Sequence, residues 1–229
     1  MPSLSHFAAL IEPSIGASAK RVGQPLSFLY QPLAWPTQGV EQVLGQLCIE
    51  GYAIVSLDGM IADSHRRMVD ELKVEADSQY FLRGLDQAVL VVHGRHSQED
   101  DAKAEHRRRF ILTHRVADLA PHPSLPSALF WNPAGIPFLE ACGRCGLIEG
   151  TVAVTGGTSV FGLFLELGFD AFHLSRSARV HLPGGRPVFP QVPTQTPEDV
   201  LKGHGLMAGP VEVLDAQAGV SVVTWVRQP

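Results

Sequence analysis

Short apolar runs recur along the chain from residue 48 onward, and several contain no polar position on either face. Continuous runs of this kind are typical of strands that are buried on both sides, as in a parallel sheet. The strands predicted in this way are Tyr52–Leu57, Ala88–His93, Arg109–Thr113, Ala128–Trp131, Thr151–Thr155 and Ala171–Leu174.

Helix-like stretches separate several of these strands: Ser78–Leu85, Ser97–Glu105, Ile136–Gly143 and Ser159–Leu167. The alternation predicts a mainly parallel sheet with helices on both faces. Near the C-terminus, Val211–Leu214 and Val220–Val226 flank the turn-forming stretch Asp215–Gly219, which predicts an antiparallel hairpin. The sequence therefore predicts a three-layer α/β fold, with a mainly parallel central sheet and a C-terminal antiparallel hairpin.

The beginning of the chain has a different character. Four prolines between positions 13 and 36 interrupt it, and its only helix-like stretch is Val40–Leu47. So short and proline-rich a segment cannot build its own core. We predict an irregular N-terminal extension over residues 1–48 and one domain over residues 49–229.

Composition narrows the class of protein. The 229 residues are 45% apolar and 18% charged, with a net charge of −5, which excludes collagen-like and disordered chains. No apolar run is long enough to span a membrane, and no secretory signal is predicted at the start. Three cysteines, an odd number, argue against a disulfide framework and favour the cytoplasm. The acidic balance disfavours nucleic acid as a partner.

Arginines outnumber lysines 14 to 4, and eight of them lie between Arg66 and Arg115. A guanidinium group binds phosphate or carboxylate through a two-pronged fork that lysine lacks. The bias indicates either a solvated face or a phosphate-bearing ligand, and the run His106–Arg109 allows the same two interpretations. The ten histidines show no metal-binding spacing, so no metal site is predicted.

The strongest local signal is the stretch Thr151–Gly162, TVAVTGGTSVFG. A buried strand ends there at Gly156 and Gly157, and Thr158 or Ser159 is predicted to cap the next helix. Paired glycines let the backbone approach a ligand, and the positive end of the helix dipole favours a diphosphate. A tight turn without a ligand is the alternative, since the spacing fits neither the Rossmann fingerprint nor the P-loop.

Two further strands end in residues suited to phosphate. The stretch Val91–Glu99, VVHGRHSQE, places Arg95 and Ser97 where a helix is predicted to start, and Thr113, His114 and Arg115 come at the end of the strand RFILT. The carboxyl ends of parallel strands share one edge of a sheet, so these junctions suit a nucleotide that lies across that edge. A solvated surface arginine is the alternative for Arg95.

These segments occur in the order and spacing of the dihydrofolate reductase superfamily, as do the later stretches LFLELGFDAFHL and LPGGRPVFP. The superfamily includes the reductase domain of riboflavin-pathway deaminase–reductases. The stretch Ile54–Asp63, IVSLDGMIAD, resembles that riboflavin-type branch most closely. The resemblance extends from about Gly51 to the C-terminus.

The resemblance implies a nicotinamide cofactor, and NADPH rather than NADH because of the residues at 113–115. The cofactor-binding residues it implies are Gly94, Arg95, His96, Ser97, Thr113, His114, Arg115, Gly156, Gly157, Thr158, Ser159 and Val160. Phe161 stands where dihydrofolate reductases often have tyrosine, so a hydroxyl contact near the nicotinamide would be missing.

On the substrate side, Asp77 resembles the family's pterin-binding acid, Phe81 the phenylalanine four positions later, and Ser175 the threonine that hydrogen-bonds the acid. The resemblance makes Asp77 and Ser175 candidate catalytic residues and Phe81 a substrate contact. Asp77 could instead cap a helix. Asp58 could face the substrate or form the turn after the first strand. The tryptophan and Leu-Pro pair that precede the acid in dihydrofolate reductases are absent.

The expected activity is an NADPH-dependent reduction of a pyrimidine- or pterin-like small molecule, in the first place that of the riboflavin-pathway aminouracil ribotide reductases. A dihydrofolate reductase and a nucleotide-binding protein without turnover are the alternatives. No zinc-deaminase signature occurs, so no fused deaminase is predicted. By analogy with the riboflavin-type branch, we expect a homodimer.

Overall fold

A computed structural model describes residues 47–96 and 103–228 of the chain. The strands of the parallel part of the sheet overlap the buried apolar runs that the pattern predicts, although most of their ends differ. The strands are β1 (Leu47–Val55), β2 (Met60–Ala62), β3 (Ala88–Gly94), β4 (Arg109–Leu112), β5 (Leu119–Pro121), β6 (Ala128–Trp131), β7 (Gly150–Gly156), β8 (Ala171–Ser177), β9 (Arg186–Pro187), β10 (Leu206–Asp215) and β11 (Val220–Arg227). The helices are α1 (Glu75–Gln87), α2 (Phe138–Arg144), α3 (Thr158–Leu167) and α4 (Pro197–Gly203).

Nine strands form one sheet in the order β10-β11-β8-β1-β7-β3-β4-β6-β5. The six strands from β8 to β6 are mutually parallel, whereas β5 and the β10–β11 hairpin pair antiparallel. In the hairpin turn, the backbone N–H of Ala218 donates to the Asp215 carboxylate at 2.8 Å. The mainly parallel sheet and its C-terminal hairpin are thus confirmed.

The sheet lies between helices on both faces, which confirms the three-layer α/β prediction. On one face α1 packs through Tyr80, Phe81 and Leu85 against Tyr52 of β1 and Val91 of β3. On the other face, α2 and α3 bury an aromatic core against the sheet. That core contains Phe110, Trp131, Phe138, Phe161, Phe164, Phe169, Phe172 and Phe189. The two faces of the central strands β1, β3 and β7 are therefore covered, as the runs without polar positions require.

The structure corrects several element boundaries. The first strand covers Leu47–Val55 and not Tyr52–Leu57, so Leu47 and Cys48 belong to the sheet and not to the predicted extension. Residues 1–46 of that extension lie outside the described residues, as do residues 97–102 of the predicted helix Ser97–Glu105. The described end of that stretch contributes only to a 3₁₀ turn, Ala104–His106.

Four short elements were not predicted: β2, β5, β9 and α4. Strands of two or three residues are too short for a period of two to be read. Helix α4 does carry a start signal, because Thr196 caps it and its first turn contains Pro197, Glu198 and Asp199.

A small two-stranded ribbon, β2 with β9, lies apart from the main sheet. It pairs Met60 with Pro187 and Ala62 with Arg186, and it comes directly after the turn at Asp58 and Gly59 that ends β1. In the part of the chain that the structure describes, no helix is long and apolar enough to cross a membrane.

Candidate functional site

The carboxyl ends of β7 and β3, which are neighbours in the sheet, meet at glycines. His93 of β3 pairs with Gly156 of β7, and Gly94 is the next residue of β3. A methyl group built on Gly94 would lie 3.5 Å from Val160 Cγ2 and 3.6 Å from the Gly156 carbonyl oxygen. The two glycine junctions that the sequence singled out therefore form one continuous backbone surface.

Gly156 cannot be replaced without strain. Its φ is +106°, and a methyl group there would lie 2.8 Å from the Phe161 ring. The peptide bond between Gly156 and Gly157 is cis. Phe161 is itself buried in the core, 5.3 Å from Phe172 between ring centroids, so the turn is held against a packed aromatic cluster.

Helix α3 begins directly after this turn, and its N-terminus is uncapped. The N-cap residue is Gly157, no side chain caps the helix, and its first turn contains no acidic residue. The prediction that Thr158 or Ser159 caps it was wrong, because the Thr158 hydroxyl donates instead to the Pro187 carbonyl at 2.5 Å. The Val160 N–H donates to the Gly157 carbonyl at 2.9 Å. The N–H groups of Thr158 and Ser159, the first two residues of α3, have no intrahelical acceptor and lie at the positive end of the helix dipole.

An arginine that was not predicted as a site residue completes this junction. Arg186 of β9 donates from Nε to the Thr158 hydroxyl oxygen at 3.2 Å. A methyl group built on Gly157 would lie 3.3 Å from Arg186 Nη2. The sequence did contain a signal for Arg186. It directly follows Gly184 and Gly185 in the stretch LPGGRPVFP, which is one of the segments that resemble the dihydrofolate reductase superfamily.

A cleft of about 450 Å³ opens beside Arg186. Ser159, at the start of α3, lines it together with Arg66 and Asp63 of the turn after β2. The cleft is therefore bordered by two arginines, one aspartate and the first turn of a helix.

The third junction lies one strand further along the edge, after β4. Thr113 is buried, its N–H donates to the Trp131 carbonyl at 2.9 Å, and its hydroxyl accepts from the N–H of Arg115 at 3.2 Å. His114 bonds the Asn132 side chain at 3.1 Å. Arg95 and Arg115 are exposed, and no carboxylate within residues 47–96 and 103–228 pairs with either. Their side chains are available to an anion on the same edge as Gly94.

His96 is exposed in the turn after β3 and Ser97 lies outside the described residues. The run His106–Arg109 is not the solvated loop that we predicted. Arg109 is buried within β4, and Arg107 forms an ion pair with Asp86 at 2.8 Å. Arg107 and Arg109 therefore stabilise the fold.

On the opposite face of the sheet, Asp77 in the first turn of α1 lies close enough to Ser175 of β8 for the serine hydroxyl to affect the pKa of the carboxyl. Asp77 is 9% exposed and Ser175 is 3% exposed. Burial raises the pKa of Asp77, and the Ser175 hydrogen bond opposes that effect. The acid and hydroxyl that the resemblance paired are thus neighbours, in a place where a neutral carboxyl is favoured.

The other two substrate candidates have structural partners. Phe81 packs edge-on against Tyr52 with ring centroids 6.2 Å apart. The Asp58 carboxylate accepts from the Ser56 hydroxyl at 2.7 Å and from the Leu182 N–H at 2.9 Å. Gly59 has a φ of +82° and donates to the Ser56 carbonyl, so Asp58 sits in the predicted turn after β1.

A C-x-x-C pair, Cys142 and Cys145, lies at the C-terminal end of α2, and burial raises the pKa of the Cys142 thiol to about 12. Among the described residues, no group of three or more His, Cys, Asp or Glu side chains is arranged to hold a metal ion.

Solved structures share this architecture at low sequence identity. A protein of Shewanella sp. PV-4 assigned to riboflavin biosynthesis is 16% identical, with a TM-score of 0.56 over 80% of this chain and 99% of that one. A diaminohydroxyphosphoribosylaminopyrimidine deaminase/5-amino-6-(5-phosphoribosylamino)uracil reductase of Thermotoga maritima is 16% identical (TM-score 0.52), with 80% of this chain covering 57% of that one. A dihydrofolate reductase of Enterococcus faecalis, solved with NADP(H), is 14% identical, with a TM-score of 0.53 over 80% of this chain and 97% of that one.

No protein-family model and no curated protein sequence matches the chain. The structural likeness shows the fold: this chain has the dihydrofolate-reductase-like fold, as the resemblance of its segments predicted.

Proposed function

We propose that this protein is an NADPH-dependent reductase of a pyrimidine- or pterin-like small molecule, most specifically of a riboflavin-pathway aminouracil ribotide. One observation carries the proposal. Gly94 and Gly156 lie in contact at the carboxyl edge of the sheet, beside the uncapped N-terminus of α3, and the same sheet holds a buried carboxyl on its other face.

The residues at this edge fit a dinucleotide. The first turn of α3 offers backbone N–H groups and no acidic side chain, which favours a diphosphate. Arg115 and Arg95 are exposed cations without an ion-pair partner among the described residues, and they suit the 2′-phosphate that distinguishes NADPH from NADH. Thr113, His114, His96, Thr158, Ser159 and Val160 would complete this binding surface.

When bound, NADPH supplies a hydride from its nicotinamide ring. The protein itself would hold the substrate in position and donate a proton to it. Asp77 is buried next to Ser175, and its raised pKa keeps a proton on the carboxyl at a higher pH than is usual for an aspartate. Such a carboxyl can hold an N–C–N–H edge by two hydrogen bonds and can donate a proton beside the hydride acceptor. Ser175 acts through Asp77 as a positioning residue.

The substrate class rests on the segment Ile54–Asp63, which resembles the riboflavin-type branch, and on the missing tryptophan ahead of Asp77. One similar solved structure is named as a riboflavin biosynthesis protein and another as a 5-amino-6-(5-phosphoribosylamino)uracil reductase. A dihydrofolate reductase is the second candidate, and the closeness of Asp77 and Ser175 favours it, because this is the acid–hydroxyl pair that the resemblance associates with pterin binding.

The test is oxidation of NADPH, monitored by the loss of its near-ultraviolet absorbance, with the aminouracil ribotide and with dihydrofolate in parallel. We expect turnover with the ribotide and little or none with dihydrofolate. Turnover with dihydrofolate alone would replace the first proposal by the second. Binding of NADPH without oxidation by either substrate would indicate a nucleotide-binding protein, and the absence of binding would overturn both reductase proposals.

A further inference from the structure

The β2–β9 ribbon places the side chain of Arg186 next to the first turn of α3. Arg186 lies on β9, and its guanidinium group lies over the backbone of Gly157, with Nη2 3.3 Å from the position of a methyl group there. A side chain at 157 would press on the guanidinium group, which would have to move by a few tenths of an ångström.

A chain of hydrogen bonds orients Arg186. The Thr158 hydroxyl donates to the Pro187 carbonyl at 2.5 Å, so its oxygen is left to accept from Arg186 Nε at 3.2 Å. Because Nε is held in this way, the two terminal nitrogens form a fork whose direction is fixed by the ribbon and the helix. Within the part of the chain that the structure describes, no carboxylate forms an ion pair with Arg186.

Arg66, in the turn after β2, lines the same cleft. It occupies a tight turn in which its N–H donates to the Asp63 carbonyl at 3.0 Å, and it holds a φ of +66°. Asp63 also lines the cleft, but its carboxylate accepts from the Arg67 N–H at 2.8 Å. The positive charge of the two guanidinium groups and of the N-terminus of α3 therefore exceeds the negative charge of the Asp63 carboxylate, which already accepts a hydrogen bond from the Arg67 N–H.

We propose that Arg186 binds the diphosphate of the dinucleotide, with Arg66 as a second cation across the cleft. The inference deepens the proposed function and rests on it. A half-buried guanidinium held beside free helix N–H groups makes charge-assisted, two-pronged hydrogen bonds to phosphoryl oxygens. The cleft, at about 450 Å³, is larger than a single phosphate needs and lies within the usual range of small-molecule sites.

A phosphate group could reach this cleft from the cofactor or from a phosphoribosyl substrate. The contacts favour the cofactor, because Arg186 touches Gly157 and Thr158, which belong to the helix N-terminus itself. The Asp77–Ser175 pair, where the substrate ring would bind, lies on the opposite face of the sheet under α1.

The experiment measures NADPH affinity by its fluorescence in the wild type, in Arg186→Met, which keeps the aliphatic stem, and in Arg186→Lys, which keeps the charge. Arg144→Met is the matched control, since Arg144 pairs with Glu140 and Asp118 on the surface of α2. We expect the Kd of NADPH to rise about 10-fold to 100-fold in Arg186→Met, less in Arg186→Lys, and to stay within about twofold in the control. The affinity for 2′-AMP, which has no diphosphate, should stay within about twofold throughout.

Several outcomes overturn the assignment. Unchanged NADPH affinity in Arg186→Met removes Arg186 from the cofactor site while the reductase proposal stands. If the KM of the phosphoribosyl substrate rises instead, the cation serves the substrate. Equal loss of NADPH and 2′-AMP binding in a variant whose circular dichroism matches that of the wild type would also overturn it, because 2′-AMP has no diphosphate.

Inorganic pyrophosphate separates this inference from the proposed function. If the wild type does not bind NADPH, the reductase proposal fails and the diphosphate of a dinucleotide is no longer the ligand. Protection of the wild type but not Arg186→Met against thermal unfolding by pyrophosphate would support the diphosphate-binding role. Equal protection of both variants would contradict it.

Discussion

Ser175 on β8 is the neighbour of Asp77 on α1 that opposes the rise in the pKa of the acid, and both side chains are buried where the helix begins to cross the sheet. The pair places a carboxyl with a raised pKa near the carboxyl ends of the parallel strands. Two residues further back on β8, His173 bonds Tyr80 on the next turn of α1 at 2.8 Å. Helix α1 is thus fixed to β8 by polar contacts on two successive turns.

Replacing Asp77 by asparagine tests the buried acid in two ways. We expect kcat to fall by about 100-fold or more, because an amide cannot donate the proton. The same variant should be more stable than the wild type near neutral pH. A folded-state pKa above that of the unfolded chain contributes stability at low pH and loses it as the pH rises through the folded-state pKa.

Urea unfolding of both proteins near neutral pH and near about pH 3 measures this difference, which should vanish at the acid end. If the wild type and Asp77→Asn are equally stable at both pH values and turn over substrate equally fast, Asp77 does not belong to the active site. Ser175→Ala is the companion variant: it should raise the pKa seen in the pH profile of kcat/KM, because the opposing hydrogen bond is lost.

Gly156→Ala should lower the free energy of unfolding by about 2 kcal/mol, since a residue with φ of +106° is strained unless it is glycine and the new methyl would meet the Phe161 ring. Gly143→Ala is the control in helix α2, where a methyl group meets nothing within 4 Å. It should stabilise the fold by about 0.5–1 kcal/mol. Thermal unfolding that ranks the two variants in the reverse order would contradict the geometry of the β7–α3 turn.

Glu50 is expected to make stability depend on acid pH. Hydrogen bonds from His173 and, at 2.5 Å, from the Tyr52 hydroxyl hold the pKa of Glu50 below its ordinary value, against the effect of burial. The stabilisation is therefore present above the unfolded-state pKa and is lost as the pH falls through the folded-state pKa. Glu50→Gln should cost about 1–2 kcal/mol near neutral pH and progressively less toward about pH 3.

The control for Glu50 is Glu140→Gln, whose ion pair with Arg144 is exposed on α2. Its stability should change by less than about 0.5 kcal/mol at any pH. A Glu50→Gln difference that does not depend on pH would mean that packing, and not charge, is what the residue contributes.

Arg115→Met tests the choice of cofactor. If Arg115 faces the 2′-phosphate, the Kd of NADPH should rise about tenfold or more while that of NADH changes by less than about twofold. Arg83→Met, on the surface of α1 beside Tyr80, is the control. A parallel loss of both cofactors, or of neither, would assign Arg115 to another role.

Asp58→Ala distinguishes the two interpretations of Asp58. Its carboxylate accepts from Ser56 and Leu182, so the substitution should cost about 1–3 kcal/mol of stability and leave KM for the pyrimidine substrate unchanged. A raised KM with unaltered thermal stability would instead make Asp58 a substrate contact.

The parallel sheet and its layers could be predicted because burial on both faces leaves a direct trace in the sequence. Runs such as Ala88–Val92 and Val152–Val154 have no polar position, because a strand between two layers of helices buries the side chains on both of its faces. The Gly156-Gly157 turn was equally visible, because only glycine fits where a backbone must bend against Phe161.

Contacts between segments far apart in sequence left no such trace. Arg186 reaches Thr158 through a two-residue strand, and nothing in the local pattern distinguishes it from a solvated arginine. The same holds for Arg107, which belongs to a charged run but forms an ion pair with Asp86, 21 residues away in the sequence. Pairing in three dimensions decided the role of each.

The central claim is that the glycine-lined edge of the sheet binds NADPH, and calorimetric titration of the wild-type protein with NADPH tests it most directly. We predict saturable binding of one NADPH per chain, with a Kd of about 100 μM or tighter and with NADH at least about tenfold weaker. No heat of binding at millimolar NADPH, or equal affinity for the two cofactors, would contradict it.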